Sequence, residues 1–323
     1  MTEAAVRSPA PPPPRGAAPG RRLLIAAGVF LCVLLVLTAL LYLNRRAATR
    51  QVLVGWLERQ GIPADVDIER VELDGLVASI RIGDPGNPDA VVERVEVDYA
   101  IGAPWSRAGL GVTPSRIRLV RPVLRASFRD GELSFGSLDP LVERFTGRPP
   151  RPDARGPLVL IEQGRVRLDT EYGPVAIAGD ARIDDGKLMR LSARMPAANL
   201  KSGGIEARAL AASLDITTTG DRMAVRATAA ADQAMLPGWS GAGARMTLAG
   251  NLPYPDLKQR RGDGRARLEA GLVAARLTAG EVVARDAVAQ LTFDGQTAGW
   301  LDAFRIGGAA DADLRAARSS SMS

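Results

Sequence analysis

An uncharged apolar run, LLIAAGVFLCVLLVLTALLYL, occupies positions 23–43 of the chain. A helix rises about 1.5 Å per residue, so a run of this length matches a hydrocarbon core roughly 30 Å thick. The run is longer than the apolar region of a cleaved signal peptide, and no small-residue cleavage site follows it. It predicts a single uncleaved transmembrane helix, residues 23–43, that keeps the rest of the chain close to a lipid surface.

The segment before the run, residues 1–22, contains SPAPPPPRGAAPG and is predicted to be an extended cytoplasmic tail. Arginines stand in equal number on the two sides of the run, so the positive-inside rule does not give its orientation. Because long domains are translocated largely regardless of nearby charge, an internal tail and an exported carboxyl-terminal domain are permitted.

Composition argues against several classes of function. The chain has no histidine, and its one cysteine, Cys32, lies inside the apolar run. The usual Cys/His zinc site, a Ser/His/Asp triad and a histidine general base are therefore excluded. The net charge of +6 comes from arginines spaced singly between apolar residues, which argues against nucleic-acid binding. We expect no catalytic activity, no cofactor and no metal site.

Residues 45–60, RRAATRQVLVGWLERQ, are predicted to form an amphipathic helix that ends at Gly61 and Pro63. Its apolar residues at helical spacing are Ala48, Val52, Trp56 and Leu57. Two interpretations remain open: the helix packs on the first strands and caps the fold, or it lies near the bilayer with a tryptophan at the interface. Under the second interpretation, the candidates for contact with the membrane surface are Arg45, Arg46, Arg50 and Trp56.

From Val66 onward the period of alternation changes from 3.6 to 2, which predicts β-strands with one apolar and one polar face. This first β region, residues 64–147, contains separate strands at 116–119 and 124–128, a tight Asp130-Gly131 hairpin and a short helix at 138–145. The alternating apolar residues that are candidates for lining a groove are Val66, Ile68, Ile80, Ile82, Val95, Val97, Tyr99, Ile117 and Leu119.

A Pro/Arg-rich linker, residues 148–157, is followed by a second β region, residues 158–308, with the spacing of successive up-and-down strands. Inward positions in this region are mainly Ala, Val, Leu and Met, and aromatic residues are only 4% of the chain, which is low for a sandwich that fills its own interior. We expect a mainly β chain whose long antiparallel meander forms a curved sheet or hydrophobic groove suited to acyl chains. Residues 309–323 are expected to be a disordered end, or the end of a truncated chain.

Three phrases of strand and turn carry a resemblance to a known family. They are IRIGDP at 80–85, the strand and Asp-Gly turn at 118–131, and the segment 164–173 that ends in EYG. With the preceding apolar run and helix, they resemble the amino-terminal part of the AsmA-like superfamily, and within it the YdbH-type branch of bacterial intermembrane phospholipid transport proteins. The resemblance is clearest over about residues 20–195.

The resemblance implies a single-pass anchor in the bacterial inner membrane, a cytoplasmic amino terminus and a periplasmic β-groove. It also implies movement of phospholipid toward the outer membrane without catalysis. Membrane lipids are the expected partners, together with outer-envelope or other inner-membrane proteins. The alternative is a structural or assembly factor of the envelope that binds a protein partner by strand addition to its β-domain.

Overall fold

A computed structural model of the chain describes residues 47, 49–55, 57–101, 112–140, 142–143, 155–254, 262–298 and 305–318. The predicted tail and the apolar run at 23–43 lie outside these residues. Within the part of the chain that the structure describes, no helix is both long and apolar enough to cross a membrane.

Fourteen strands form one sheet, so the described chain is mainly β as predicted. The strands are β1 (Ala64–Val71), β2 (Gly75–Asp84), β3 (Asn87–Ile101), β4 (Val112–Arg129), β5 (Glu132–Ser134), β6 (Leu158–Thr170), β7 (Gly173–Asp184), β8 (Lys187–Ser202), β9 (Ile205–Thr219), β10 (Arg222–Leu236), β11 (Trp239–Pro253), β12 (Gly264–Ala279), β13 (Val282–Ala298) and β14 (Arg305–Arg318). Helical residues 47, 49–55 and 57–59 form α1. A 3-10 turn, Gly136–Leu138, and helical residues 139–140 and 142–143 stand where a short helix is predicted.

The strands follow one another in the sheet in chain order, and β5 pairs only with β4. Every pair of neighbours is antiparallel except β4 and β6, which run parallel with Arg116 opposite Leu158. The predicted antiparallel meander is therefore confirmed with one parallel junction, at which the chain returns to the starting end of β4. The predicted linker 148–157 falls at this junction and does not divide the sheet, because residues 49–323 form one compact unit.

Two predicted boundaries differ from the structure. The segments 116–119 and 124–128, expected to be separate strands, belong to the single strand β4, in which Arg121 has a φ of 50°. Residues 309–318, expected to be disordered, belong to β14, which pairs with β13. In both places the segment's own sequence pattern for a strand is interrupted or weak. Hydrogen bonds to the neighbouring strand keep it extended.

Residues with positive φ lie inside strands at matching levels of the sheet. Ala209 in β9, Gly243 in β11 and Asp286 in β13 have φ values of 50°, 59° and 49°, and the registers of β9 to β13 align them. Arg121 and Gln163 form a similar pair in the adjacent β4 and β6. Register shifts lie beside Gln163, Ala209 and Asp286, in the pairings of β6 with β7, β8 with β9 and β13 with β14. The strands from β9 to β13 pass this level in register, so they bend together, and these aligned bulges give the open sheet its curvature.

At two of these bulges the backbone N–H donates to a side chain of the neighbouring strand instead of to a backbone carbonyl. The Ala209 N–H donates to Asn199 Oδ1 at 2.9 Å. The Gln163 N–H donates to Asp180 Oδ1 at 2.8 Å. A backbone donor left without a partner would be costly, so these bonds make the bulges a stable part of the sheet.

The largest cluster of buried side chains lies where α1 packs on β1 and β2. Its fully and nearly buried members are Leu57, Ile62, Val66, Ile68 and Ala78, with Leu53 and Val54 packed against them. This packing agrees with the interpretation that the helix caps the first strands. Val52, which the sequence placed on the packing face, is exposed, and Ala48 and Trp56 lie outside the described residues.

We expect Leu57→Ala to lower the free energy of unfolding by about 2–4 kcal/mol, because it removes a buried side chain from the contact between α1 and the sheet. Val52→Ala, on the exposed side of the same helix, should change it by less than about 0.5 kcal/mol. Chemical denaturation followed by circular dichroism measures both changes. Equal effects of the two substitutions would contradict this placement of the helix.

Ala209→Gly should stabilise the protein by about 1 kcal/mol, because glycine adopts a positive φ without the steric cost that alanine bears. Ala207→Gly in the same strand should destabilise it by about 0.5–1 kcal/mol, since glycine weakens a strand with ordinary φ. Thermal unfolding of the two variants beside the unaltered chain measures the difference. A lower melting temperature for Ala209→Gly would show that the bulge is not a bend of this kind.

Candidate functional site

One row of apolar residues crosses the sheet from β1 to β14 on a single face. Residues directly opposite each other in neighbouring strands share a face, so the registers define the row. Its members, in strand order, are Ile68, Ala78, Val95, Leu119, Ile161, Ala181, Leu191, Ile216, Val225, Gly250, Leu268, Phe293 and Ala310. No member carries a charge. We call the side of the sheet that bears this row the apolar face.

The predicted groove residues divide into two groups on this face. Those of β1 and β2 lie in or against the core cluster that α1 covers: Val66, Ile68, Ile80 and Ile82. Those of β3 and β4 stand opposite one another, Val95 with Leu119 and Val97 with Ile117. The first group therefore contributes to the fold beneath the helix, and the uncovered face begins after it.

Tyr99, the remaining predicted groove residue, is fixed at the edge of the fold by its hydroxyl group. The Tyr99 hydroxyl donates to the carbonyl of Glu72 at 2.7 Å. Burial and the nearby carboxylate of Asp74 raise the pKa of Tyr99 above its usual value. Its hydroxyl also approaches the carbonyl of Gly75 at 3.4 Å, so it ties β3 to the β1–β2 turn as a structural side chain does.

No second layer covers the apolar face in the described chain beyond α1. Strands pack extensively only on their hydrogen-bonded neighbours and, for β2 to β4, on the 3-10 turn Gly136–Leu138. Row members such as Leu191, Ile216 and Leu268 are half-buried, shielded by their neighbours on the same curved sheet. A curved open sheet with this face uncovered is an apolar trough rather than a closed core.

Small residues form much of the floor of this trough from β10 onward. Inward positions there include Ala227, Ala229, Ala231, Ala266, Ala270, Ala274 and Ala287. Ala231, Ala266, Ala274 and Ala287 are buried. Alanine side chains occupy little of the space above the backbone, so the trough keeps room for an apolar chain.

Charged residues occupy the opposite face, where a three-residue cluster joins β3, β4 and β6. Arg118 Nε and Nη2 donate to the two carboxylate oxygens of Glu162 at 2.8 and 2.7 Å. Arg118 Nη1 also donates to Glu96 Oε2 at 3.2 Å. Bidentate pairing of this kind fixes geometry as well as charge, and here it spans the parallel junction of the sheet.

The same contacts shift the ionisation of the two carboxyl groups. The hydrogen bonds from Arg118 hold the pKa of Glu162 below its usual value. Partial burial opposes ionisation of Glu96, but bonds from Arg118 and Arg94 outweigh it and lower the pKa of Glu96 overall. Both groups therefore remain negatively charged beside the guanidinium at neutral pH.

The two ends of the trough differ. One end, which we call the Tyr254 end, carries the turn 220–221, and Tyr254, which follows β11, contacts this turn and the start of β8. The Tyr254 N–H donates to the carbonyl of Asp221 at 2.7 Å, and the Tyr254 hydroxyl accepts the N–H of Leu188 at 2.8 Å. The Lys187 ammonium lies 4.9 Å from the ring centroid. These contacts link the end of β11 to the start of β8.

Two polar side chains are buried at the Tyr254 end. Thr218, opposite Met223 on the apolar face, is 4% exposed, and its hydroxyl has no hydrogen-bond partner among the described residues. Thr297 is 2% exposed and donates its hydroxyl to the carbonyl of Gly262 at 2.6 Å. Both threonine side chains are therefore shielded from water by the residues around them.

The other end of the trough, which we call the Trp239 end, carries the hairpin turns 237–238 and 280–281. At the level of Gly243 and Asp286 two successive residues are exposed in a strand, Ala275 and Arg276 in β12 and Arg285 and Asp286 in β13, so the alternation of these strands changes phase there. Beyond this level the last inward row is Leu236, Trp239, Ala279 and Val282. Leu236, Trp239 and Val282 are 53%, 55% and 63% exposed. The apolar face therefore continues to this end and reaches solvent there.

Arg50, a predicted contact with the membrane surface, holds α1 to the first strand. Its Nη2 lies 2.9 Å from Asp65 Oδ1, and its Nε donates to the carbonyl of Val66 at 2.8 Å. It borders a cavity of about 330 Å³ whose other lining residues are Asp65, Val66, Asp67, Ser79 and Arg81. The other three candidates, Arg45, Arg46 and Trp56, lie outside the described residues.

The chain matches the YdbH-like family, described as intermembrane phospholipid transport protein YdbH, over residues 32–323. It therefore belongs to this family, as the sequence resemblance predicts. No curated protein sequence and no solved structure matches it significantly.

The pairing of Arg118 with two carboxylates predicts a pH-dependent stability. Carboxyl groups with a lowered pKa stabilise the fold above their usual pKa of 4.5, and this contribution is lost as the pH falls through the lowered value. Arg118→Met should therefore lower the melting temperature at pH 7, and the difference from the unaltered chain should shrink by pH 3.

Arg129→Met is the matched control, because Arg129 and Asp169 form a single-contact pair in which both side chains are largely exposed. We expect it to change the melting temperature little at either pH. Glu162→Gln combined with Arg118→Met should cost less than the sum of the two single changes. A difference between Arg118→Met and the unaltered chain that is the same at pH 7 and pH 3 would contradict the role of the cluster.

Proposed function

We propose that this protein holds phospholipid acyl chains against the apolar face of its sheet and passes lipid from strand to strand without catalysis. The observation that carries the proposal is the uncharged row that continues across every strand from β1 to β4 and from β6 to β14. Burial of each CH₂ group of an acyl chain is worth about 0.8 kcal/mol. An uncovered apolar trough in a member of a phospholipid transport family is a surface on which such a chain can lie.

The dimensions of the row suit movement along it. Twelve steps between neighbouring strands of about 4.8 Å give a row roughly 58 Å long. This is longer than the hydrocarbon core of a bilayer, which is about 30 Å thick. A lipid on the row therefore has several similar positions, and movement between similar, individually weak sites is what conduction requires.

The site of action in this proposal is the bacterial envelope. The apolar run at 23–43 is the single-pass anchor in the inner membrane, residues 1–22 are cytoplasmic, and the β-sheet is periplasmic. Arg45, Arg46, Arg50 and Trp56 lie next to the anchor in the chain and face the membrane surface, while lipid moves toward the outer membrane. The run's length and the family to which the chain belongs support this arrangement.

The lipid contacts begin on β3 and β4, with Val95, Val97, Ile117 and Leu119. Val66, Ile68, Ile80 and Ile82 form the start of the same face beneath α1. The transfer of a lipid between such positions breaks no covalent bond, so the proposal requires neither a catalytic base nor a cofactor.

A photoreactive benzoylphenylalanine in place of Phe293 tests the proposal in the full chain, expressed in cells with both membranes intact. Phe293 is on the apolar row, and Thr292 is its exposed neighbour on the opposite face. After irradiation, mass spectrometry should find phospholipid linked at position 293 and several-fold less at position 292. Phospholipid at neither position, or equally at both, would overturn the proposal.

A charge placed beside the probe should remove the lipid. Leu268 stands directly opposite Phe293, so Leu268→Asp should reduce phospholipid crosslinking at 293 several-fold. Asn251→Asp is the matched control, since it adds the same charge next to the row but on the exposed opposite face. Crosslinks to a protein alone would instead favour the envelope assembly factor.

A further inference from the structure

We propose that the Trp239 end of the trough docks on the surface of a lipid bilayer and is the end at which an acyl chain reaches the apolar face. The patch consists of Leu236, Trp239 and Val282. This inference rests on the proposed function, because it assumes that the trough holds lipid. It goes beyond that function by assigning the place where the trough and a bilayer meet.

The first argument is continuity. The registers place Leu236 opposite Trp239, Trp239 opposite Ala279, and Ala279 opposite Val282. Alternation changes phase between these residues and the apolar row, where Ala275 and Arg276 are both exposed, so the patch lies on the same face as the row. An acyl chain that leaves a bilayer at this patch meets the trough without crossing a charged row.

The second argument is the composition of the hairpin tip. Turns are normally built from Gly, Pro, Asn, Asp and Ser with polar neighbours, yet residues 235–239 read MLPGW and carry no charge. Leu236 and Trp239 are more than half exposed. Tryptophan prefers the interface between membrane and water, where its ring is in the apolar layer and its N–H is hydrated.

The third argument is that two hairpin tips form one patch. The Gly280 N–H approaches the carbonyl of Gly238 at 3.4 Å, which joins the β12–β13 turn to the β10–β11 turn. Val282 is therefore held beside Trp239. The two tips present their apolar side chains to the same side and would enter a lipid layer together.

The fourth argument is the contrast with the Tyr254 end. There the inward Thr218 is buried, and Tyr254 reaches across from β11 to the N–H of Leu188. An acyl chain could not arrive at that end without breaking these contacts. The open Trp239 end requires no such rearrangement, so it is the end that meets lipid.

The size of the patch favours a bilayer over a protein. A standard protein interface buries about 800 Å² per partner and has a closely packed centre. Three side chains on projecting hairpin tips provide much less area than that and no flat surface around it. A bilayer accepts individual side chains, and each apolar Å² that enters it contributes about 25 cal/mol.

The test uses the full chain, in which the single native cysteine is replaced and a new cysteine is introduced at the position to be labelled. In a Cys32→Ala background, Val282→Cys carries an environment-sensitive fluorophore, and the protein is reconstituted in phosphatidylcholine vesicles. Leu73→Cys is the matched control, because Leu73 is a highly exposed apolar residue in a turn at the Tyr254 end. Nitroxide-labelled lipid is included in the protein's own vesicles in one arm and in added vesicles in the other.

We expect several-fold stronger quenching by the nitroxide lipid at position 282 than at position 73 in at least one arm. Leu236→Asp combined with Trp239→Asp should abolish this difference. Equal quenching at the two positions in both arms would overturn the proposal. A fluorophore shielded from water at position 282 but not quenched by lipid would overturn it as well, since the occupant would then be a protein or a second copy of the chain.

The outcome of this quenching test is distinguishable from the outcome of the crosslinking test of the proposed function. Phospholipid crosslinked at Phe293 without quenching at position 282 would refute only the docking surface. Quenching at position 282 without any crosslink at Phe293 would refute the trough as a lipid carrier and leave a membrane-binding tip. The two measurements use different residues and different readouts, so neither result depends on the other.

Discussion

The register of the hydrogen-bonded ladder is the constraint on which the rest of the structure depends. Side chains alternate between the faces of a strand, so a slip of one residue would move every inward side chain of that strand to the other face. In β9 a slip of this kind would place Asp215 or Thr217 where Ile216 now stands. The apolar face exists because the pairing is correct in every strand of the path, and where alternation changes phase it does so in neighbouring strands together, so opposite residues still share a face.

A single-layer sheet also decides where stability and function lie. Among the residues that the structure describes, the densely buried cluster lies where α1 covers β1 and β2, so that end stabilises the fold in the manner of an ordinary core. Beyond it the apolar side chains are half-buried, and the ladder with cross-strand pairs such as Arg118 with Glu162 holds the strands together. Apolar surface that the fold leaves uncovered is the surface that a ligand can cover, so part of the hydrophobic free energy is realised only on binding.

Local pattern in the sequence predicted the elements that depend on local chemistry. Alternation identified the strands, and Asp130-Gly131 predicted a tight turn; both residues have the positive φ that such a hairpin requires. The features that the sequence did not predict depend on distant partners. Nothing near β4 indicates that β6 will pair with it in parallel, and Tyr254 acts through Leu188, which is 66 residues away in the chain.

In the candidate site, too, local pattern predicted some features, and the features it missed depend on distant packing. Alternation placed Val95, Val97, Ile117 and Leu119 on an apolar face, but it could not show that Val66 and Ile68 are covered, because that depends on which side of α1 packs. Helical spacing suggested Val52 and Leu57. Leu57 makes the contact, together with Leu53 and Val54, but Val52 is exposed. Exposure at Trp239 is equally invisible in the sequence, where an apolar tip resembles any other short apolar segment.

The floor of the trough favours movement of a lipid over storage. A storage protein gains by a deep enclosed cavity in which large side chains surround one ligand position. Here each strand carries only a few large inward side chains, such as Leu214 and Ile216 in β9 or Leu268 and Leu272 in β12, and alanine and glycine fill many of the other inward positions. An acyl chain on such a surface has neighbouring positions of similar free energy, and no single position binds it tightly enough to hold it. Lipid supplied at one position can therefore move to the next position along the trough.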